Sequence, residues 1–352
     1  MATDLDEIET PAVLVDLAVV QRNIAKFQAY ADAHGLKVRP HIKTHKLPQI
    51  AAMQIAAGAV GITCQKVSEA EAMVDAGGFG DVLITYNILG AEKLARLRAL
   101  AARITVSVVA DSAAVVAGLS AAFAGGPPLT VLVECNTGAD RCGVESPAAA
   151  AELAQVIAQA PGLRFGGLMT YPVMGGNGAV QAFMASARAL IEAQGMGVPV
   201  ISSGGSPSMW QAGEVAAVTE HRPGTYVYFD RSLVARGACG WDDCALSVLV
   251  TVVSVPSAQR AIVDAGSKVL TSDLLGLAGY GQVMGRDDLM VDQLSEEHGR
   301  LISTGPIGLR VGDRLRIVPN HACVVSNMVD HVHVLDGGRV QVWPVVARGR
   351  VT

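Results

Sequence analysis

From residue 36 onward, short runs of β-branched and apolar residues alternate with longer Ala-rich segments. The runs fall at Leu36–Arg39, Val60–Thr63, Val82–Thr85, Ile104–Val109, Leu129–Glu134, Phe165–Thr170, Val198–Ser202 and Ala216–Thr219. A short continuous apolar run is the pattern of a strand buried on both faces. Between the runs, Lys66–Ala76, Ala91–Ala101, Pro147–Gln159 and Ala179–Gln194 carry apolar residues at three- and four-residue spacing, the mark of a helix with one buried face. Strand and helix repeating every 25 residues or so, with eight candidate strands, predict an α/β chain built as a (β/α)8 TIM-like barrel. An open doubly wound sheet gives the same alternation but needs fewer strands.

The pattern changes after about Arg231. Ala245–Val255, Arg260–Asp264, Arg314–Val318, His331–Leu335 and Arg339–Trp343 read as strands joined by Gly, Asp and Pro turns, with no long helical periodicity. Asp336-Gly337-Gly338 between two alternating runs is a hairpin signal. These features predict a barrel over residues 21–232 and a C-terminal mostly-β domain over 233–352, preceded by an N-terminal strand within 1–20.

Composition narrows the class. Of 352 residues, 51% are hydrophobic and 17% charged, which suits a cored protein and excludes a disordered one. A net charge of −5 gives no electrostatic footprint for nucleic acid. The six cysteines lack the dense spacing of a small secreted scaffold and read as reduced thiols. The start Met1 to Glu7 is acidic with no apolar signal-peptide core, and no apolar run reaches the ~20 residues of a membrane span. The expected location is the cytoplasm.

Barrel active sites form at the C-terminal ends of the strands. Those positions hold Arg39-Pro40-His41-Ile42-Lys43-Thr44-His45-Lys46, Asn136 to Gly143 with Arg141, Thr170-Tyr171, Ser203-Gly204-Gly205-Ser206, and His221-Arg222-Pro223-Gly224-Thr225. A lysine at the end of a buried strand can be an amine nucleophile, since desolvation and neighbouring cations free its lone pair; a solvated basic turn is the other reading. The Ser-Gly-Gly-Ser turn suits a phosphate, because glycines let backbone amides converge on an anion. Tyr171 is placed to stack on a cofactor or to pack in the core. Arg141 is placed for a cofactor or for an ion pair with Asp140 or Glu134. In Pro319-Asn320-His321-Ala322-Cys323, an extended backbone would point His321 and Cys323 to one face, where imidazole and thiolate share a metal. That donor pair favours zinc over magnesium or calcium.

The run RPHIKTHK, after Thr10-Pro11-Ala12-Val13-Leu14-Val15-Asp16, resembles the D-threonine aldolase and D-serine dehydratase family, pyridoxal-phosphate enzymes of the alanine-racemase-like fold. The resemblance runs from about Glu9 to about Gly349. It implies that Lys43, and not Lys46, carries pyridoxal 5'-phosphate, with His41 beside it. By the same resemblance Arg141 meets the phenolic oxygen, Arg222 faces the pyridine nitrogen, and Gly224 and Thr225 complete the phosphate nest with Ser203, Gly204, Gly205 and Ser206. Tyr171 is then a catalytic candidate beside Lys43, and Ala12–Asp16 joins the β domain.

The PNHAC segment resembles the dehydratase branch, which implies a zinc at His321 and Cys323 that binds the substrate's β-hydroxyl. The aldolase branch has Asp in place of Cys323 and binds manganese-like ions, and it carries a histidine after the barrel tyrosine where this chain has Pro172. The implied function is loss of water from a D-β-hydroxy-amino acid (D-serine, D-threonine or 3-hydroxy-D-aspartate) in a homodimer, giving a 2-keto acid and ammonia. The alternative is aldol cleavage to glycine and an aldehyde. An amino-acid racemase would need a second acid/base where the metal segment lies. A non-enzymatic pyridoxal-phosphate-binding protein would be a barrel alone, without residues 233–352. Elsewhere, His298 resembles part of a family Glu-His-Gly segment, and His331 and His333 read as exposed-face residues of a strand.

Overall fold

A computed structural model describes residues 5–352. The chain divides into two compact units. One comprises Lys26–Lys43, Pro48–Gly224 and Arg350–Thr352, and the other holds the residues up to Ala25, Thr44–Leu47 and Thr225–Gly349.

After β1 (Ala12–Asp16) come β2 (Lys37–Val38), β3 (Ile62–Cys64), β4 (Asp81–Ile84), β5 (Thr105–Ala110), β6 (Leu129–Cys135), β7 (Leu163–Thr170), β8 (Val200–Ser203) and β9 (Glu220–His221). From β2 on, these pair in the order β2-β9-β8-β7-β6-β5-β4-β3, all parallel. A bridge between His41 and Thr63, with the Thr63 amide donating to Pro40 O at 2.8 Å, joins the two ends into the expected TIM-like barrel. Helices between the strands follow the three-and-four rule: Asn177–Ala193 buries Val180, Met184, Ala187 and Ile191. Pro147–Gln159 starts at a Ser146 cap, whose hydroxyl accepts from the Ala149 amide at 3.2 Å, with Pro147 in the first turn.

The last barrel strand is not Ala216–Thr219 but Glu220–His221. The apolar run lies in the turn leading into it, with Val218 N bonded to Val215 O. The strand itself was hidden by its polarity. Glu220 is buried because Ser202 Oγ donates to it at 2.5 Å and Arg39 Nε at 2.8 Å, which satisfies a carboxylate inside the barrel.

The other unit adds β10 (Leu246–Ser257), β11 (Arg260–Val263), β12 (Gly281–Val283), β13 (Leu289–Leu294), β14 (Gly299–Ser303), β15 (Arg314–Pro319), β16 (His331–Asp336) and β17 (Arg339–Pro344). Its sheet runs β13-β14-β11-β10-β1-β16-β17, and β15 pairs with both β10 and β12. The N-terminal strand β1 is antiparallel to β10 and parallel to β16. Asp336 pairs with Arg339 around Gly337 (φ 54°) and Gly338 (φ 88°), two left-handed residues that make the expected two-residue hairpin loop. His331 is exposed, but His333 is half-buried on the same strand, with its Nδ1 sealed from solvent. Among the described residues no helix is long and apolar enough to cross a membrane.

Gly167 marks a register shift where β7 passes between β6 and β8. Its φ is +129°, and a Cβ there would lie 1.9 Å from Val200 O on β8. Gly167→Ala is therefore expected to cost roughly 2–3 kcal/mol of stability, read by chemical denaturation.

Candidate active site

Lys43 lies in the short turn Ile42–Thr44 that follows β2, half-buried, with no side-chain hydrogen bond or ion pair among the described residues. Its amide donates to His41 Nδ1 at 3.4 Å, which leaves the His41 proton on Nε2, donating to Gln65 Oε1 at 3.1 Å. Gln65 in turn donates to Thr85 O at 2.9 Å. Lys46 is different. Its backbone is left-handed (φ 55°), and its buried Nζ donates to Ala347 O at 3.0 Å. The amine of Lys46 is committed to structure, whereas that of Lys43 is available for chemistry.

At the end of β8, Gly204 has φ +125°, and a Cβ on it would fall 2.5 Å from the His221 ring. A Cβ on Gly205 would fall 3.1 Å from the Tyr171 ring. Glycine is thus required at Gly204 for the backbone to follow this turn. Ser203 and Ser206 are buried beside it, and Ser206 Oγ accepts from the Gly224 amide at 3.2 Å, stitching the loops after β8 and β9. That bond draws the Gly224 amide onto Ser206. Burial, and then the Arg222 charge, push His221 down to about 4, so it is a neutral ring donating Nε2–H to Gly205 O at 3.2 Å.

Arg222 is buried. Nη1 donates to Ser202 Oγ at 2.5 Å and Nη2 to Thr170 O at 2.7 Å. Burial lowers its guanidinium to about 10, which leaves it charged near neutral pH. Tyr171 is 41% exposed and is no core tyrosine; the Arg141 guanidinium carbon stands 4.7 Å over its ring. Among the described residues Arg141 makes no ion pair with Asp140 or Glu134. Glu134, buried at the end of β6, has a carboxyl raised chiefly by that burial. An uncommitted amine, a glycine turn with no room for a Cβ at Gly204 and a fixed guanidinium form a donor set that fits pyridoxal phosphate.

The second centre lies in the β unit. His321 keeps extended angles (φ −141°, ψ 120°) but caps the helix Ala322–Met328, so Cys323 stands in a first helical turn and not on the expected extended segment. The cause is Asp230. This carboxylate is 0% exposed and accepts from the Ala322 amide at 3.1 Å, which starts the helix, and from His321 Nδ1 at 2.9 Å. The pair still meets, through a hydrogen bond between imidazole and the Cys323 sulfur. Burial would lower His321, yet the Cys323 charge, Asp230 and these hydrogen bonds outweigh it and hold the imidazole up to about 11. With Nδ1 committed to a carboxylate, Nε2 is the nitrogen left for a metal, the arrangement found behind metal-bound histidines. The set fits a divalent ion.

Thr44 and Thr225, which follow Lys43 and Gly224 in the chain, set their hydroxyls 3.2 and 3.6 Å from Cys323 Sγ. For Thr225 this is a contact in the β unit that a phosphate role did not foresee. Asp230 also went unforeseen: an Asp before Arg231-Ser232 signals a helix cap, but its bond to His321 spans 91 positions.

Comparison with known proteins places these features. Residues 15–232 match the alanine racemase N-terminal domain, and residues 245–335 match a putative serine dehydratase domain. D-threonine aldolase of an Arthrobacter species is 35% identical, covering 98% of this chain and 94% of its own. D-threo-3-hydroxyaspartate dehydratase of Delftia sp. strain HT23 is 34% identical, covering 97% and 98%. The crystal structure of D-threonine aldolase from Filomicrobium marinum superposes with a TM-score of 0.91 at 35% identity, over 99% of this chain and 98% of that one. A D-threo-3-hydroxyaspartate dehydratase with one cysteine changed to alanine has been solved in a metal-free form. The chain belongs to the D-threonine aldolase and D-serine dehydratase family of the alanine-racemase-like fold, and is a pyridoxal-phosphate-dependent lyase.

Asp230→Asn puts an amide donor against groups that themselves donate. If His321 takes a divalent ion, affinity for it, measured by competition with a chelating dye, is expected to fall about 10- to 100-fold. Unchanged affinity would show that Asp230 does not support metal binding at His321.

Proposed function

We propose that this chain removes water from D-β-hydroxy-amino acids, releasing a 2-keto acid and ammonia, with pyridoxal phosphate on Lys43 and zinc at His321 and Cys323. The observation that carries the reading is the nitrogen–sulfur pair His321–Cys323 backed by buried Asp230. A borderline-soft donor set of this kind selects zinc over harder ions. When bound, the cofactor withdraws electrons from Cα and the metal serves as a Lewis acid toward the β-hydroxyl.

The chain's own residues do the rest. Lys43 Nζ holds the cofactor, gives way to the substrate amine, and then takes the Cα proton as a general base. The Ser203–Ser206 turn binds the phosphate, and Arg222, fixed by Ser202 and Thr170, holds a positive charge toward the ring nitrogen. An arginine is a poor proton donor, so a ring nitrogen facing Arg222 would be left unprotonated and the pull on Cα would be modest. Departure of hydroxide from Cβ then leans on the Lewis acid held by His321 and Cys323. Cleavage of Cα–Cβ to glycine and an aldehyde is the second reading, favoured by the 35% identity to a D-threonine aldolase. It would follow if a base took the β-hydroxyl proton.

Incubation with D-serine, D-threonine and D-threo-3-hydroxyaspartate should yield keto acid and ammonia, lost on chelation while cofactor absorbance persists. Glycine with an aldehyde as the main products would replace the proposal by the aldolase reading. After borohydride treatment, mass spectrometry should find the cofactor on Lys43, with Lys43→Ala unlabelled and Lys46→Ala still labelled. A label on Lys46 would overturn the assignment.

A further inference from the structure

The sulfur of Cys323 does not sit in an apolar niche. Thr44 Oγ1 lies 3.2 Å from it and Thr225 Oγ1 3.6 Å. Thr44 is fully buried, so its hydroxyl has little water to turn to. A third hydroxyl belongs to the same neighbourhood. The Tyr228 amide donates to Thr225 O at 3.0 Å, and its ring meets edge-on the ring of His45, the residue after Thr44, with centroids 6.4 Å apart. Tyr228 is completely buried, and its Oη is sealed from solvent with no hydrogen-bond partner. An unsatisfied buried hydroxyl is costly, at about 1–3 kcal/mol, unless the working state gives it an acceptor.

We infer that Thr44, Thr225 and Tyr228 form a cage of hydroxyl donors that positions the Cys323 sulfur and tempers its strength as a metal ligand. The inference rests on the metal site proposed above. Hydrogen bonds to a ligating sulfur withdraw electron density from it, and bonding around such a sulfur is known to tune its metal. Thr44 and Thr225 reach the sulfur directly, and Tyr228 Oη is the buried hydroxyl beside them that still lacks an acceptor. These are positioning residues, acting through Cys323.

Cobalt(II) is the probe, because its sulfur-to-metal charge-transfer band reports electron density on the sulfur. The full-length protein is titrated with cobalt as wild type and as Thr44→Val, Thr44→Ser and Tyr228→Phe, each close in shape to the native side chain. Thr44→Val and Tyr228→Phe should move the band to lower energy, while Thr44→Ser keeps the wild-type band. If the band stays in place in both Thr44→Val and Tyr228→Phe, the cage is refuted whatever happens to affinity. If wild type binds cobalt without a charge-transfer band, Cys323 is no ligand, and the metal reading fails along with the inference.

Discussion

The centre in the β unit depends on one buried carboxylate. Asp230 is wholly removed from solvent and meets four donors: Ser232 Oγ at 2.7 Å, the Leu233 amide at 3.1 Å, His321 Nδ1 at 2.9 Å and the Ala322 amide at 3.1 Å. A carboxylate without such partners would be too costly to bury. With them it begins two helices, Arg231–Ala235 and Ala322–Met328, and fixes the ring of His321 between them. Helix capping and the orientation of His321 are thus one interaction. Deleting the Asp230 side chain would therefore free His321 and uncap both helices together.

The barrel solves a comparable problem with a chain of pairs. Asp81 accepts from Arg39, Arg39 donates to Glu220, Ser202 donates to Glu220, and Arg222 donates to Ser202 and Thr170 O. Each buried charge is neutralised by the next, so Arg222 can stay charged and fixed inside the barrel at a tolerable desolvation cost. The same economy separates the two lysines. Lys46 is consumed in a bond to Ala347 O, while Lys43 keeps an amine with no structural duty.

Much of this was legible in the sequence. The alternation of apolar runs and helical spacing predicted the barrel, because parallel strands buried on both faces must be apolar and their crossovers amphipathic. Asp336-Gly337-Gly338 predicted its hairpin, because two consecutive left-handed residues are cheap only for such residues. The misses have a common cause. Glu220–His221 escaped as a strand because its charge is balanced by Ser202 and Arg39, residues remote in the chain. Strands β12, β13 and β14 are short and interrupted by Asp, Gln and Arg, which break the alternation. The helix at Ala322 depends on a cap supplied from Asp230. Local pattern cannot report a polar group that is satisfied from far away, and the candidate site is built largely of such groups.

That dependence bears on the chemistry. His321 is held up to about 11 because the Cys323 charge and Asp230 both favour a positive charge on or beside the imidazole. A proton satisfies that demand, and a divalent ion satisfies it better, since it bonds nitrogen and sulfur together. On the proposed reading, a metal would have to displace that proton, which would make its binding pH-dependent. Replacing the thiolate by a carboxylate would keep the charge but remove the soft donor, moving preference toward harder ions. On the proposed reading, the fate of the β-hydroxyl then follows from what that ion does to its oxygen. Drawing electrons from the C–O bond favours departure of hydroxide, whereas merely acidifying the O–H favours cleavage of the carbon chain. On that reading, the sulfur of Cys323, with the hydroxyls around it, would set that balance.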